Sequence, residues 1–346
     1  MRNKQVPAGK KYVRLTPSLM SDFCRKMVST LSLHYTQDAL SAHFARISHL
    51  PWAMLLTSGH ADHADNRFDM LTADPRATLV THDDLTAISA DGAVSQRAED
   101  PLLLVQRQCE ALGALPDRRD DLPFQGGALG LFGYDLGRRF ERLPQQAADD
   151  LTTPDMAIGI YDWALIADHH LQRLTLVSLG DAQARLRWLL QWPPREAAPF
   201  LLTSGWQSNL SYRDYAERFH AVQAYIQAGD CYQVNLAQRF QARYQGDEWQ
   251  AFCRLNAANR APFSAFLRLP DSAILSLSPE RFLSLKGDEI ETRPIKGTRP
   301  RAADPDLDRR EALALAQSEK DRAENLMIVD LLRNDIGRVA DRKSVV

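Results

Sequence analysis

Short apolar runs separated by turn residues characterise the chain between about residue 50 and residue 180. Runs of this kind, bounded by glycine, proline and small polar residues, predict the strands of antiparallel sheets. The predicted strands are WAMLL at 52–56, TLVTH at 78–82, GALGLFGYDL at 127–136, AIGIYDWALIADH at 157–169 and LQRLTLVSL at 171–179. Apolar residues recur at helical spacing in DAQARLRWLLQW, at 181–192, which therefore predicts a helix.

A proline-rich stretch at 192–200 interrupts the pattern and predicts a linker. After it, Ser211 is placed to cap an amphipathic helix that Gly229 would end. The apolar residues of this helix are Tyr215, Phe219, Val222, Tyr225 and Ile226. Further strands are predicted at 231–244, 264–269, 273–278 and 281–287, followed by helices at 308–317 and 320–335.

Mixed helices and strands of this order predict an α+β fold with extensive antiparallel sheet. Residues 1–26 are polar, basic and aperiodic, so we interpret them as a tail or a misassigned start. The remaining chain divides into an N-terminal region at 27–195 and a second region at 205–340.

Composition and charge exclude several classes of protein. The chain has 346 residues, of which 45% are hydrophobic and 25% charged, so it can bury a large core. A formal net charge of −2 gives no electrostatic reason to expect nucleic acid or an anionic membrane as a partner. Because the sequence contains neither a membrane-length apolar run nor a recognisable signal peptide, we expect a cytoplasmic location.

The four cysteines predict no special chemistry. Cys24, Cys109, Cys231 and Cys253 form no CxxC pair and have no histidine at metal-ligand spacing. We interpret them as reduced structural thiols.

Three segments, SPERF at 278–282, ETRPIKGT at 291–298 and KDRAEN at 320–325, each place a reactive group at the end of a strand or on a helix. In SPERF, Glu280 follows a predicted strand, and Pro279 restricts the backbone before it. A carboxylate at such a position is either a solvated turn residue or a catalytic acid. Residue spacing alone leaves both interpretations open.

In ETRPIKGT, Lys296 precedes Gly297, which permits a close backbone approach, and the hydroxyl of Thr298. An amine must lose its proton before it attacks as a nucleophile, and burial beside a second cation would favour that loss. The alternative is an ordinary surface lysine.

In KDRAEN, Lys320 and Glu324 lie one helical turn apart. They could be a simple exposed ion pair. Alternatively, Glu324 could bind Mg²⁺, which prefers oxygen ligands and usually keeps some of its waters.

The three motifs together resemble the chorismate-utilising enzymes, a family that includes anthranilate, isochorismate, salicylate and aminodeoxychorismate synthases. The resemblance covers about residues 27–340 and is carried further by 49–63, 121–141, 229–240, 246–252 and 259–269. It implies a β-sandwich core of antiparallel sheets with outer helices. Within the family, anthranilate synthases carry alanine in the PIxGT motif, whereas aminodeoxychorismate synthases of this kind carry lysine, as Lys296 does here.

The resemblance implies a chorismate-aminating transferase on the route to p-aminobenzoate and folate. Lys296 would attack C2 of chorismate, and Glu280 would protonate the departing 4-hydroxyl. Thr298 and Gly297 would bind the substrate, and Glu324 would bind Mg²⁺. A separate glutamine amidotransferase subunit, component II, would supply ammonia, because this sequence has no recognisable amidotransferase nucleophile motif.

The resemblance also implies a tryptophan site, carried by LLTS at 55–58 and RAPF at 260–263. The candidate residues are Leu56, Ser58, Tyr232, Pro262 and Phe263. An ordinary core where the two regions meet is the alternative, because an apolar wall alone does not specify a ligand.

Two other functions stay open at this point. One is a different chorismate enzyme such as anthranilate synthase, against which Lys296 argues. The other is a non-catalytic fragment. Family members continue beyond the resemblance, and residues 341–346 match the translation of a common sequencing-adapter read, so we expect an artefactual end, poor solubility and an inactive chain.

Overall fold

The computed structural model describes residues 28–59, 66–113, 119–146 and 150–340. Its strands are β1 (Ser29–Leu33), β2 (Met54–Thr57), β3 (Phe68–Thr72), β4 (Ala77–His82), β5 (Leu85–Ala90), β6 (Ala93–Arg97), β7 (Gly127–Phe132), β8 (Met156–Tyr161), β9 (Trp163–Asp168), β10 (Arg173–Ser178), β11 (Leu201–Leu202), β12 (Gln207–Ser208), β13 (Phe240–Gln241), β14 (Tyr244–Gln245), β15 (Phe263–Arg268), β16 (Ala273–Ser278), β17 (Ser284–Lys286) and β18 (Glu289–Glu291).

The helices are α1 (Ala39–Ile47), α2 (Pro101–Ala111), α3 (Ala182–Leu190), α4 (Tyr212–Ala228), α5 (Glu248–Asn259), α6 (Pro305–Gln317) and α7 (Glu319–Ile336). A 3₁₀ helix at Tyr134–Arg139 follows β7. No helix within the described ranges combines the length and the apolar character that crossing a membrane requires.

Two antiparallel sheets form the centre of the molecule. The larger has the strand order β1-β10-β9-β3-β2-β15-β16, and the smaller has the order β6-β5-β4-β8-β7. Met54 and Leu267 of the larger sheet pack with Ala157 and Tyr161 of the smaller sheet in one buried cluster. The two sheets therefore face each other as a sandwich, which confirms the predicted α+β fold with a β-sandwich core and outer helices.

The outer face of the larger sheet carries helices. Phe44 of α1, Trp249 and Phe252 of α5, and Phe266 of β15 make edge-on and stacked ring contacts with centroids 5.0–5.7 Å apart. Aromatic pairs at such distances favour these offset and edge-on arrangements. Leu104 and Val105 of α2 cover the smaller sheet in the same way.

The larger sheet takes strands from both predicted regions. Leu56 of β2 is opposite Ala265 of β15, and β15 in turn pairs with β16. The division into regions at 27–195 and 205–340 stays a prediction, but this sheet joins them.

Local sequence signals account for both ends of helix α4. Helix α4 begins after Ser211, whose hydroxyl accepts a hydrogen bond from the backbone of Asp214, and ends at Gly229 in the left-handed conformation. Both boundaries agree with the prediction.

Some predicted strands differ from the structure. The run at 157–169 forms two strands, β8 and β9, which lie in different sheets. The strand predicted at 231–244 is wrong, because only β13 and β14 form there, and they pair with the two-residue strands β12 and β11. The strand predicted at 127–136 ends at Phe132, where Gly133 leads into the 3₁₀ helix. In the segments at 231–244 and 127–136, the apolar pattern resembles that of one long strand. The backbone groups of these segments do not pair along their whole length.

Three helices of the second region, 205–340, are exposed to solvent. Helices α4, α6 and α7 bury none of their residues. Their exposed apolar side chains include Phe219, Tyr225, Leu313, Leu326 and Leu331. The candidate site described next lies beside α6 and α7.

Candidate functional site

The turn after β16 holds Glu280. Its backbone N–H donates to Oγ of Ser278 at 3.1 Å, and that hydroxyl donates to the carbonyl oxygen of Glu280 at 2.9 Å. The side chain is exposed, and its Oε1 accepts a hydrogen bond from the N–H of Ile295 at 3.0 Å. Glu280 is therefore fixed against the residue that immediately precedes Lys296.

The side-chain nitrogen of Lys296 lies 4.0 Å from Oε1 of Glu324 on α7. The exposed fractions of the two side chains are 27% and 35%, so neither is fully removed from water. The charged neighbour of Lys296 in this contact is an anion, whereas the nucleophile hypothesis called for a nearby cation. The contact joins two motifs that are well separated in the sequence.

Gly297 brings this segment against the helices. Its φ of 74° lies in the left-handed region that favours glycine. A Cβ atom there would lie 2.7 Å from Cδ1 of Leu315 in α6 and 3.0 Å from Cγ of Asp321 in α7. Glycine is thus required both by the backbone angle and by the available space, while Thr298 is exposed beyond it.

A hairpin lies between Glu280 and Lys296. In strands β17 and β18, Ser284 is opposite Glu291 and Lys286 is opposite Glu289. Gly287 lies in the turn between them, at a φ of 61°. Below the paired residues, the hydroxyl of Thr292 donates to the carbonyl oxygen of Phe282 at 2.7 Å. The ends of the segment are therefore held together by contacts outside the ladder.

Glu291 binds two guanidinium groups at the base of this hairpin. Its Oε2 accepts a hydrogen bond from Arg281, and its Oε1 accepts bonds from Nε and Nη2 of Arg293 at 2.8 and 2.6 Å. The hydrogen bond from Arg293, with the positive charges of Arg293 and Arg281, holds the pKa of Glu291 below its ordinary value. The guanidinium carbon of Arg281 also lies 5.7 Å from the centre of the Phe263 ring.

Magnesium would need more oxygen ligands than Glu324 supplies. No group of three or more histidine, cysteine, aspartate or glutamate residues is arranged for metal binding within the part of the chain that the structure describes. Mg²⁺ generally takes one or two protein carboxylates and completes its shell with water and substrate oxygens. Among the described residues, Glu324 can therefore supply one carboxylate ligand to Mg²⁺, and these residues do not form a complete magnesium site.

Four of the five candidate tryptophan residues lie together where β2 and β15 pair. Leu56 is opposite Ala265 in the register, and Pro262 and Phe263 lie at the start of β15. A Cβ atom on Gly59 would lie 2.9 Å from the carbonyl oxygen of Ala261, so the residues after Ser58 run close to the segment before Pro262. Tyr232 is 82% exposed, whereas Ser58 is buried and Leu56, Pro262 and Phe263 are partly buried.

Ser58 is held by a buried carboxylate. Oδ1 of Asp69 accepts hydrogen bonds from the backbone N–H of Ser58 at 2.7 Å and from its hydroxyl at 2.9 Å. Oδ2 accepts from Thr57 at 2.9 Å and lies 3.2 Å from Nε2 of His169, whose Nδ1 is 2.9 Å from the hydroxyl of Tyr35. The end of β2 is thus anchored to β3 and to the residue that follows β9.

The pKa of Asp69 reflects this environment. Burial by itself would raise the pKa, but the hydrogen bonds from His169, Ser58 and Thr57 outweigh it and hold the pKa below its ordinary value. Asp69 therefore favours its ionised form in spite of being buried.

Sequence reasoning missed Asp69, His169, Arg281 and Glu291. An aspartate within the apolar run FDMLT is a signal, because a buried carboxylate requires partners. Arg281 belongs to the SPERF motif, next to the expected catalytic acid Glu280. Its partner Glu291 could not be identified from the sequence, because the pairing of β17 with β18 brings the two residues together.

Comparison with known proteins matches residues 56–346 to the family model described as chorismate binding enzyme. Aminodeoxychorismate synthase component 1 of Salmonella typhimurium is 60% identical over 317 residues, which are 92% of this chain and 70% of that protein. The protein of the same name from Escherichia coli is 57% identical with the same coverage. Anthranilate synthase component 1 of Thermus thermophilus is 34% identical over 80% of this chain and 60% of its own length.

Two solved structures share the fold. Anthranilate synthase component I from Streptococcus pneumoniae superposes with a TM-score of 0.64 at 24% identity. The menaquinone-specific isochorismate synthase from Escherichia coli superposes with a TM-score of 0.58 at 12% identity. The matches cover 82% and 88% of this chain but 64% and 62% of those chains, so this chain spans less than two thirds of either solved structure.

Proposed function

This chain belongs to the chorismate binding enzyme family, and on that premise we propose that it is the chorismate-binding component of an aminodeoxychorismate synthase. The reaction would convert chorismate and ammonia into 4-amino-4-deoxychorismate, for p-aminobenzoate and folate biosynthesis. The observation that carries this proposal is the arrangement around Lys296, whose Nζ is 4.0 Å from Glu324 and whose preceding residue binds Glu280. Identities of 57–60% to proteins of that name support it.

In the proposed reaction, the neutral amine of Lys296 adds to C2 of chorismate. The ring double bonds shift, the bond from C4 to its hydroxyl oxygen breaks, and the departing hydroxyl takes a proton and leaves as water. Ammonia then adds at C4, and the bond between Lys296 and C2 breaks, which regenerates the lysine. Because the amine is already positioned on the protein, it would compete well with water.

Glu280 would donate the proton to the departing hydroxyl. Its Oε1 accepts the N–H of Ile295, so the acidic proton would reside on Oε2. Thr298 and Gly297 would contact the substrate beside it. The exposure of Glu280 supports this assignment, since a substrate can reach the carboxyl group.

We assign Glu324 as one ligand of Mg²⁺, with the substrate carboxylate and water as the others. When bound, the ion would neutralise and orient the carboxylate of chorismate.

A glutamine amidotransferase subunit, component II, would provide the ammonia. The relatives named component 1 imply a second component by that name. We assign the reaction to the cytoplasm, the compartment expected from the sequence.

Product analysis tests the proposal. The assay uses an extended protein, in which this chain continues into the part of the Salmonella relative that lies beyond the matched residues, with chorismate, Mg²⁺ and ammonia. Aminodeoxychorismate as the product supports the proposal, and anthranilate as the product overturns it. The chain of 346 residues alone is expected to be inactive, because its candidate site is open to water beside helices that bury no residue.

An anthranilate synthase is the second candidate, and the Thermus relative is the observation that favours it. Lys296 distinguishes the two, because alanine is expected at that position of anthranilate synthases. Lys296→Ala in the extended protein therefore tests whether the lysine determines the product.

We also propose a tryptophan site formed by Leu56, Ser58, Tyr232, Pro262 and Phe263. The proximity of the β2 and β15 residues and the anchoring of Ser58 by Asp69 support it. Tyr232, whose side chain is exposed, is the fifth residue of the proposed site.

A further inference from the structure

The segment from Glu280 to Lys296 starts and ends at the two proposed catalytic residues, and its geometry determines how they face each other. Within this segment, the only strand ladder consists of the three residue pairs between β17 and β18. A two-stranded hairpin of this length is marginal without further support. The support must therefore come from contacts at its base.

Arg281 and Glu291 form such a contact. Arg281 directly follows Glu280, and Glu291 ends β18 shortly before Ile295. The Arg281 side chain is 23% exposed, and a carboxylate paired with arginine in partial shelter from water makes a strong, directional contact. The pair thus closes the hairpin next to the turn that carries Glu280.

Phe263 attaches the hairpin to the larger sheet. The Arg281 guanidinium lies over its ring at 5.7 Å, and Phe263 is the first residue of β15, opposite Ser278 at the end of β16. Arg281 is therefore in contact with the sheet on one side and with the hairpin base on the other. The hydrogen bond from Ile295 to Glu280 spans the same base.

We propose that Arg281, held by Glu291 and Phe263, is a positioning residue that fixes the carboxyl group of Glu280 relative to Lys296. This deepens the proposed function, because it assumes that Glu280 and Lys296 perform the reaction. Arg281 does not contact the reacting atoms in this assignment. It acts through the turn at Glu280 and through the backbone at Ile295.

Solvent exchange of the Ile295 amide, measured by NMR on the chain of 346 residues, reports the position of Glu280 directly. Glu291→Gln is expected to accelerate this exchange by about fivefold, because the ion pair with Arg281 is replaced by a weaker hydrogen bond to an uncharged amide. Glu280→Ala, which removes the acceptor, gives the upper limit. Arg293→Gln is the matched control, since it removes the other guanidinium on Glu291 and leaves the pair with Arg281 intact; its effect is expected to stay below about twofold.

Amides of β2 and β15 serve as the internal reference for folding. If Glu291→Gln also accelerates their exchange, Arg281→Lys replaces it as the test variant, and it is expected to give a smaller acceleration confined to Ile295. Unchanged Ile295 exchange in the test variant would overturn the proposal. An equal acceleration in Arg293→Gln would overturn it as well.

The extended protein supplies the functional readout. Glu291→Gln is expected to lower kcat for amination while KM for chorismate changes by less than about twofold, because the pair does not touch the substrate. A rise in KM at unchanged kcat would contradict the positioning role. If the wild-type extended protein makes no aminodeoxychorismate, the proposed function fails, whereas the exchange measurement still decides whether Arg281 fixes Glu280.

Discussion

Nζ of Lys296 and Oε1 of Glu324 approach to 4.0 Å across the gap between an irregular segment and helix α7. At this distance the two groups interact electrostatically, and a small shift of either side chain would form a direct hydrogen bond. A substrate that enters beside them would therefore meet an amine and a carboxylate that are free to change partners.

Lys296 is predicted to carry the substrate skeleton. Mass spectrometry of the extended protein, stalled with chorismate in the absence of ammonia, should find an adduct on Lys296, and Lys296→Ala should abolish it. Lys320→Ala is the matched control, because Lys320 is an exposed lysine of α7 and should leave the adduct unchanged. An adduct of the same mass on another residue in Lys296→Ala would contradict the assignment.

Glu324 and Glu280 should affect the reaction differently. Glu324→Gln in the extended protein should raise the Mg²⁺ concentration needed for half-maximal activity by about tenfold, because an anionic ligand becomes neutral. Glu280→Gln should reduce kcat by about a hundredfold or more with little change in metal dependence. Glu319→Gln, at the exposed start of α7, is the control. Identical magnesium titrations for wild type and Glu324→Gln would remove the ligand assignment.

Gly297→Ala should displace the segment that carries Lys296. The added methyl group would meet Leu315 and Asp321 at 2.7 and 3.0 Å, in addition to the cost of the left-handed backbone. Gly287 has a similar φ of 61°, but no atom lies within 4 Å of its Cβ position. Gly287→Ala should therefore lose stability only through the strain of the left-handed backbone. The difference in urea unfolding free energy between the two variants should be about 1–3 kcal/mol. Equal losses would show that α6 and α7 do not constrain the segment.

Much of the fold follows from local sequence signals, whereas the site depends on long-range contacts. Ser211 and Gly229 set the ends of α4 through their own hydrogen bonds and backbone angles, so the prediction succeeds there. The predicted strand at 231–244 fails because its backbone partners lie in distant short segments. Glu280, Lys296 and Glu324 were selected by motif, but their proximity depends on the hairpin and on the seating of Gly297.

The Asp69 cluster should make stability depend on pH. Because the folded-state pKa of Asp69 is below its ordinary value of 3.8, the ionised carboxylate stabilises the fold above that pH. This contribution is lost as the pH falls through the lower, folded-state pKa. Asp69→Asn should lower the unfolding free energy at pH 7 by about 2 kcal/mol and flatten its pH dependence below pH 4.

Asp84→Asn is the control for this measurement, since the Asp84 side chain is 98% exposed and pairs with Arg139 at 3.5 Å. Its effect should stay within about 0.5 kcal/mol. A wild-type curve that is flat between pH 5 and pH 3 would refute the role of Asp69.

Tryptophan binding can be measured directly on the chain by calorimetry. Phe263→Ala should weaken the affinity about tenfold or more, since it removes an aromatic wall at the start of β15. Phe282→Ala, which removes an exposed ring, is the control. Tyr232→Ala tests whether the exposed ring joins the site, and an unchanged affinity would remove Tyr232 from it. No binding by the wild-type chain would leave the β2–β15 contact as an ordinary core.

The pairing of β2 with β15 has a consequence for the newborn chain on the ribosome. Strand β2 (Met54–Thr57) is made early, but its partner β15 (Phe263–Arg268) is made only after most of the described residues. At ordinary rates of translation this interval is on the order of ten seconds or more. During that time the edge of β2 that pairs with β15 in the folded protein is unpaired, and it can form hydrogen bonds with strands of other chains and aggregate. A holdase chaperone that shields this edge during synthesis would therefore raise the yield of folded protein.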